Sequence, residues 1–418
     1  MGQVVQALEE GNPLDRTIYF GLIISSVAIL VSRSFPWGAF LRRNWPLTVF
    51  LVFSLLSVCW SDFAFVALKR WFRDVGNYLV ILVVLSDPNP LRAIRAVLRW
   101  VSYLLVPLSI VLIKYYPELG KHYSFWTGTP EFVGVTTGKN LLGVICVISA
   151  LFFCWDVLAR WPARRSWRTR KIMVINLAFV GMSFWLLNLA SSATARVCIV
   201  LGCLVMAVAK VNWFRRHPGI LKMLIPAIFC IYLILAFGLD MSGSLAGAVG
   251  KDPTLTDRTK IWSFLLGMRT NPLLGTGYES FWLGSRIVEF AQQSGLGALN
   301  EAHNGYLEVY LNLGAIGVLL LTVFVIDGYR NIWERSDSLG SLRPLILAIW
   351  IIFLFYNVTE AFFRSGLMWS VFLMAVLAVP SRVAKQSRIE AMSWQWQRDE
   401  PLATAVAETT ALSQAKSV

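Results

Sequence analysis

Apolar runs recur along almost the whole sequence, near 17–32, 47–60, 76–86, 98–113, 140–158, 172–190, 197–211, 220–239, 305–327, 344–359 and 366–380. A helix needs about 20 apolar residues to cross a bilayer, and most of these runs approach that length. In hydrocarbon every backbone N–H and C=O must find a partner within the protein, so such a chain folds as packed spanning helices. Composition agrees: 56% of residues are apolar, only 15% are charged, and the mean hydropathy is +0.61. A soluble domain carries about 25% charge to cover its surface. The expected fold class is an all-α polytopic membrane protein with about 11 (10–12) transmembrane helices and one long loop on the outer side. A cytosolic enzyme, a disordered scaffold and a secreted disulfide module are excluded. The third run is too short to span alone.

Charge gives the orientation. Lys and Arg total 38 against 24 Asp and Glu, a net +14, and the excess collects in the connections. Arg160, Arg164, Arg165, Arg168, Arg170 and Lys171 sit together with no acid, as do Lys210, Arg215, Arg216 and Lys222. Arg330, Arg335 and Arg343 form a third basic loop, and Arg382, Lys385 and Arg388 follow the last run. Counted alternately, all four fall on one side, which the positive-inside rule makes cytoplasmic. The basic excess is thus explained without nucleic acid as a partner. Residues 1–16 form a polar N-terminal segment without a signal-peptide pattern, and an odd span count sets it outside. Residues 17–239 hold spans one to eight, 240–304 the long loop, 305–380 the last three spans and 381–418 a poorly ordered cytoplasmic tail. No internal repeat or two-half symmetry is visible. All six cysteines lie in apolar stretches with no C-x-x-C spacing, so they read as buried hydrophobes rather than disulfides or zinc ligands.

The segment 240–304 carries the information about chemistry. On this topology it faces outward, yet it holds Lys251, Arg258, Lys260, Arg269 and Arg286 against six acids. Positive-inside bias cannot account for cations there; an anionic substrate can, since guanidinium binds phosphate oxygens in a bidentate fork. Arg258 and Lys260 suit a phosphate or pyrophosphate, or a salt bridge within the loop. His303, beside Glu301 and just before an apolar helix bearing Glu308, is placed as a general base near neutral pH, or as an interfacial cap. Arg196 ends S-S-A-T-A-R at a turn between two apolar runs, where a charge by default signals function; snorkelling is the other reading. Lys69, Arg70 and Arg73 also fall outside, against the rule. His217 belongs to a basic loop, and His122 fits either reading. G-T-G at 275–277 lacks the strand and the G-x-G-x-x-G spacing of a nucleotide site, so a tight turn after Pro272 explains it better. No Walker sequence, D-x-D pair or H-E-x-x-H is present, which removes support for an ATP-driven pump, a metal-dependent sugar-nucleotide transferase and a zinc protease.

The order of these motifs is informative. D-R-x-x-I-W (257–262), N-P-L-L-G-T-G-Y-x-S-F-W (271–282) and E-A-H-N-G-Y-L-E (301–308) with N-x-G-x-x-G after it resemble the O-antigen ligase and polysaccharide polymerase family of bacterial inner membranes, the exopolysaccharide-polymerase branch in particular. The likeness is strongest over about 180–330. Weaker echoes lie in C-W-S-D (59–62) with Arg70, in G-V-T-T-G-K-N-L-L-G (134–143) and in S-S-A-T-A-R (191–196). The resemblance implies a metal-independent, inverting glycosyl transfer at the periplasmic face of the inner membrane, with no cofactor, from a glycan carried on undecaprenyl pyrophosphate. Carried onto this sequence, Arg196, Arg258, Lys260 and Arg70 would bind the pyrophosphate, and His303 would activate or orient the acceptor hydroxyl. Asn304, Glu301, Glu308, Tyr306, Tyr278 and Lys139 would be substrate or supporting contacts. Gly138 stands where the family often has a histidine before Lys-Asn. Glu301 two residues before His303, in place of a second histidine, leans toward polymerase over lipid A ligase. The implied partners are a lipid-linked oligosaccharide donor, a glycan acceptor, membrane lipids, and chain-length and export proteins. A ligase, a lipid-linked sugar flippase and a structural export subunit remain the alternatives.

Overall fold

The computed structural model describes residues 13–123, 128–235, 254–295 and 299–379. The expected cytoplasmic tail, 381–418, most of the N-terminal segment and residues 236–253 and 296–298 of the long loop lie outside them. The described chain is helical almost throughout, and the expected all-α membrane architecture holds. Its long helices are α1 (Pro13–Ser32), α2 (Trp37–Arg43), α3 (Trp45–Leu56), α4 (Ala64–Leu85), α5 (Pro90–Tyr115), α6 (Lys139–Arg160), α7 (Trp167–Ala190), α8 (Ala193–Val208), α9 (Pro218–Leu233), α10 (Thr254–Gly267), α11 (Ser285–Gln293), α12 (Gly305–Glu334), α13 (Arg343–Thr359) and α14 (Leu367–Val376). One antiparallel hairpin interrupts them, β1 (Lys121–Tyr123) on β2 (Pro130–Phe132), with His122 opposite Glu131.

Every apolar run corresponds to a helix, but fewer qualify as spans than the sequence suggests. Among the described residues six helices are long and apolar enough, or seven if α2 and α3, bent at 94°, make one span. Three more, α8, α9 and α14, are apolar but short. The third run proves to be the second half of α4, whose first half carries Lys69, Arg70, Arg73 and Asp74. Apolar periodicity marks helix and burial; it does not separate a full crossing from a shorter core helix.

Burial sorts the helices. Helix α6 is mostly buried and packs on α7, α5, α8 and α13, while α8 lies mainly against α13. Helix α1 turns most of its apolar surface outward. Two ends result. At one, Trp155 Nε1 donates to the Ser341 carbonyl (2.6 Å), Tyr329 Oη donates to the Lys222 carbonyl (2.9 Å), Arg43 pairs with Glu334, and Asn44 bonds the Ala378 backbone. The basic loops at 160–171, 210–222 and 330–343 therefore gather at one end of the bundle, as alternate counting requires.

The other end is covered by residues 254–302, which have an apolar core of their own around Trp262, Leu265, Phe281, Trp282 and Phe290. The join between this cap and the bundle explains N-P-L-L-G-T-G-Y. Helix α12 breaks at Gly314 (φ 64°), which frees the carbonyls of Leu311 and Asn312 and the N–H groups of Ala315 and Ile316. Residues 272–277 take their place: Thr276 N and Gly277 N donate to those carbonyls (3.1 and 2.9 Å), while Ala315 N and Ile316 N donate to Pro272 and Leu273 (2.9 and 3.3 Å). Buried backbone groups must be paired, and here two segments satisfy each other. Contact is so close that a Cβ on Gly275 would fall 2.4 Å from the Asn312 backbone, and one on Gly314 2.2 Å from that of Leu273. G-T-G is thus a close-packing turn, as the sequence suggests.

Candidate active site

Four helix ends meet under the cap: the N-termini of α6, α8 and α12 and the C-terminus of α13. Glu360, buried at 3% exposure, follows α13 and ties them together. Its Oε1 accepts from Asn140 Nδ2 in the first turn of α6 (2.7 Å) and from an Arg258 Nη of α10 (2.7 Å). Its Oε2 lies 3.6 Å from His303 Nδ1. One residue earlier, Thr359 shares a hydroxyl hydrogen bond (2.8 Å) with Thr194 in the first turn of α8, two residues before Arg196. Glu301 completes the group: Oε1 lies 2.9 Å from His303 Nδ1, and Oε2 pairs with Arg364. Both carboxylates face His303 Nδ1 and hold the ring between them.

Two carboxylates thus face three cationic groups, Arg258, Arg364 and the imidazole. Burial works to lower the His303 pKa, but Glu301 and then Glu360 outweigh it and push it up to about 9. Burial likewise works to raise the Glu301 pKa, and the His303 ring and the Arg364 guanidinium hold it below the usual carboxylate range. His303 itself sits at φ 49°, a left-handed conformation uncommon for a residue other than glycine and a form of strain often found at functional sites. Gly305 must be glycine for the helix to start so close to α13, since a Cβ there would lie 2.1 Å from Asn357 Oδ1.

The sequence-predicted residues divide on this geometry. His303, Glu301 and Arg258 come together. Lys139, next to Asn140, is 2.8 Å from Glu131 of β2. Arg196 is half-buried in the first turn of α8 at this end, with no carboxylate partner among the described residues. Lys260 is exposed on α10. Arg70 donates to the Glu279 carbonyl, and Tyr278 Oη donates to Asp74 Oδ2 (2.7 Å), which also pairs with Arg73; these cations lie at the site end, as their outside assignment requires. Tyr278, Glu279 and Arg364 line one small cavity of about 20 Å³, which joins that knot to the Glu301 group.

Three predicted contacts have evident structural work. Asn304 caps α12, its Oδ1 accepting from Tyr306 N and Leu307 N (3.0 and 3.1 Å). Glu308 accepts from Trp282 Nε1 (2.8 Å) and Ala302 N (2.9 Å) and pins the cap to α12. Tyr306 Oη donates to the Leu354 carbonyl (3.3 Å). Asn304→Ala should therefore cost about 1 kcal/mol of stability with little change in KM; a large KM rise in folded protein would make Asn304 a sugar contact instead. Sequence reasoning passed over Glu360 and Arg364, which lie in the short link between the last two apolar runs. The signal was available: a charge at the outer end of an apolar run drew attention at Arg196 and applies equally to Glu360.

Glu301, His303 and Glu360 each offer a ligand atom, all within 4.8 Å of one another. A cation fits that triangle sterically, but Arg258 and Arg364 already sit on both carboxylates and compete for the same oxygens.

These features define a multi-pass membrane protein with a charged, partly buried site at the end of the bundle opposite its basic loops. Residues 177–322 match the O-antigen ligase family. Over 329 residues, 77% of this chain and 72% of the relative, the chain is 22% identical to the exopolysaccharide production protein ExoQ of Rhizobium meliloti (strain 1021). Over these residues the chain is similar to the O-antigen ligases and to an exopolysaccharide production protein, as its motifs indicate.

Proposed function

We propose that this protein is an inverting glycosyltransferase of the bacterial inner membrane that joins polyprenyl-pyrophosphate-linked repeat units into exopolysaccharide at the periplasmic face. The observation that carries the reading is the Arg258–Glu360–His303–Glu301–Arg364 cluster, set opposite the basic loops. If those loops are cytoplasmic, the cluster is periplasmic. Glu360 aims Arg258 and leaves its remaining N–H groups for the donor pyrophosphate, and Arg196 adds a second cation. The helix N-termini of α6, α8 and α12 favour negative charge at the same place. The acceptor hydroxyl attacks the anomeric carbon from the face opposite the pyrophosphate, whose bond breaks with its electron pair. The hydroxyl proton passes to Nε2 of His303, and Glu301 and Glu360 stabilise the imidazolium that forms. Guanidinium groups then do for the leaving group what a metal does elsewhere. Chain-length and export proteins are the partners such an enzyme would hand its product to.

The test is full-length protein in nanodiscs with a polyprenyl-pyrophosphate oligosaccharide, its products resolved on a gel. A ladder of increasing length is expected, and its absence from the His303→Ala variant ties it to the site. The O-antigen ligase match keeps one other reading in play: a single transfer, and only once a lipid A core or protein acceptor is added, makes the protein a ligase. EDTA is expected to leave the ladder intact. Strong inhibition, reversed by a divalent cation, would turn the Glu301–His303–Glu360 triangle into a metal site.

A further inference from the structure

A cleft of about 720 Å³ opens on the side of the bundle, away from the charged cluster. Its walls are Ile110 and Ile113 from the last turns of α5 and Met182, Trp185 and Leu189 from the end of α7. Phe132 of β2 closes the top, and Lys114 and Lys121 line the same cleft. Neither lysine has a carboxylate within ion-pair distance among the described residues. Lys114 lies over the Tyr115 ring and Lys121 over the Phe132 ring, each 5.3 Å from the centroid. An apolar trough with two ammonium groups that have no carboxylate partner matches a chain-like lipid whose head is anionic.

Its position says which lipid. Helix α6 packs on α5 and α7, and also on α8 and α13, which carry Arg196 and lead into Glu360. The cleft and the charged cluster therefore lie on different sides of one buried helix, and they share no cation. They are nevertheless adjacent at the top. Phe132 faces the cleft while its neighbour Glu131 reaches Lys139 (2.8 Å), and the next residue, Asn140, holds Glu360 (2.7 Å). A lipid in the cleft would carry its headgroup beside the hairpin, whose Glu131 leads through Lys139 and Asn140 to Glu360 of the charged cluster.

We propose that this cleft holds the polyprenyl chain of a second lipid-linked substrate, the acceptor, with its pyrophosphate on Lys114 and Lys121, while the donor pyrophosphate occupies Arg196 and Arg258. The inference rests on the polymerase reading, in which both partners in the reaction are lipid-linked. Two anion sites on separate sides of α6 let both lipids stay in the bilayer while the acceptor's far sugar reaches the base.

Gly181 supplies the test. A Cβ added there meets nothing within 4 Å, so Gly181→Trp should fill the cleft without disturbing the fold. Transfer to a lipid-linked acceptor is expected to fall at least tenfold, through KM, while transfer to the same oligosaccharide freed of lipid is unchanged. Lys114→Gln with Lys121→Gln should show the same split. In parallel, a photoreactive polyprenyl pyrophosphate without sugar should label α5 and α7 in the parent protein and not in Gly181→Trp. Equal loss with both acceptors, or no loss with either, overturns the proposal. Labelling of the cleft together with a single, ladder-free transfer by the parent protein would overturn the polymerase reading and leave the lipid site standing.

Discussion

His303→Ala is expected to lower kcat by about 10² to 10⁴-fold, the usual contribution of a positioned general base, with the protein inserting and folding as before. The pH dependence identifies the role. A base must be neutral to accept a proton, and the two carboxylates hold His303 charged up to about pH 9. At neutral pH roughly one site in a hundred then carries the active form. For the parent protein kcat/KM should rise about tenfold per pH unit toward 9 and level off above it. A profile that instead falls through 9 would make His303 a cation for the pyrophosphate and end its assignment as base. Glu360→Gln sharpens the test. It removes one of the two carboxylates near the ring, so the inflection should move to lower pH as activity drops, because Arg258 and Asn140 also lose their charged partner. A merely structural role for Glu360 would lower activity and leave the inflection in place.

Gly314→Ala is expected to have the largest effect on folding. The residue sits at φ 64° and ψ −168°, a combination open essentially to glycine alone, and its Cβ would fall 2.2 Å from the Leu273 carbonyl. Nothing flexible can yield, because the obstacle is backbone. Separating the two segments would strain or break the four exchanged hydrogen bonds, each worth about 1 kcal/mol. Together with backbone strain this amounts to about 3–5 kcal/mol, enough to lower the thermal midpoint in detergent by roughly 10 °C or to abolish recovery of folded protein. Gly21→Ala on α1, where an added Cβ meets nothing, is the control and should be neutral or slightly stabilising. Equal midpoints for the two variants would mean that the break in α12 is not held by residues 272–277.

Much of this was readable from the sequence, and the division has physical causes. Helices and the gathering of basic loops at one end follow from local composition, which a linear string displays directly. Glu301, His303 and Arg258 were singled out as candidates because all three lie in one segment rich in charge for its predicted side. Glu360 was not, because its importance comes from three partners distant in sequence: Asn140, Arg258 and His303. Glu308 and Asn304 carried the right chemistry for substrate contacts, but their geometry commits them to Trp282, Ala302 and the start of α12. Residue type shows what a side chain can do; only the fold shows which of its bonds are already made. Span number is read less directly. A short apolar helix such as α14 is as apolar as a full crossing, and composition alone does not tell the two apart.

The exchange of backbone bonds at Gly314 also bears on traffic. A helix that borrows its missing bonds from residues 272–277 cannot release them without leaving both sides unpaired, so that stretch is a fixed lintel and not a swinging door. On the polymerase reading, a growing glycan would thread past this fixed stretch at 272–277, and successive additions would need no opening and closing stroke of it in each cycle.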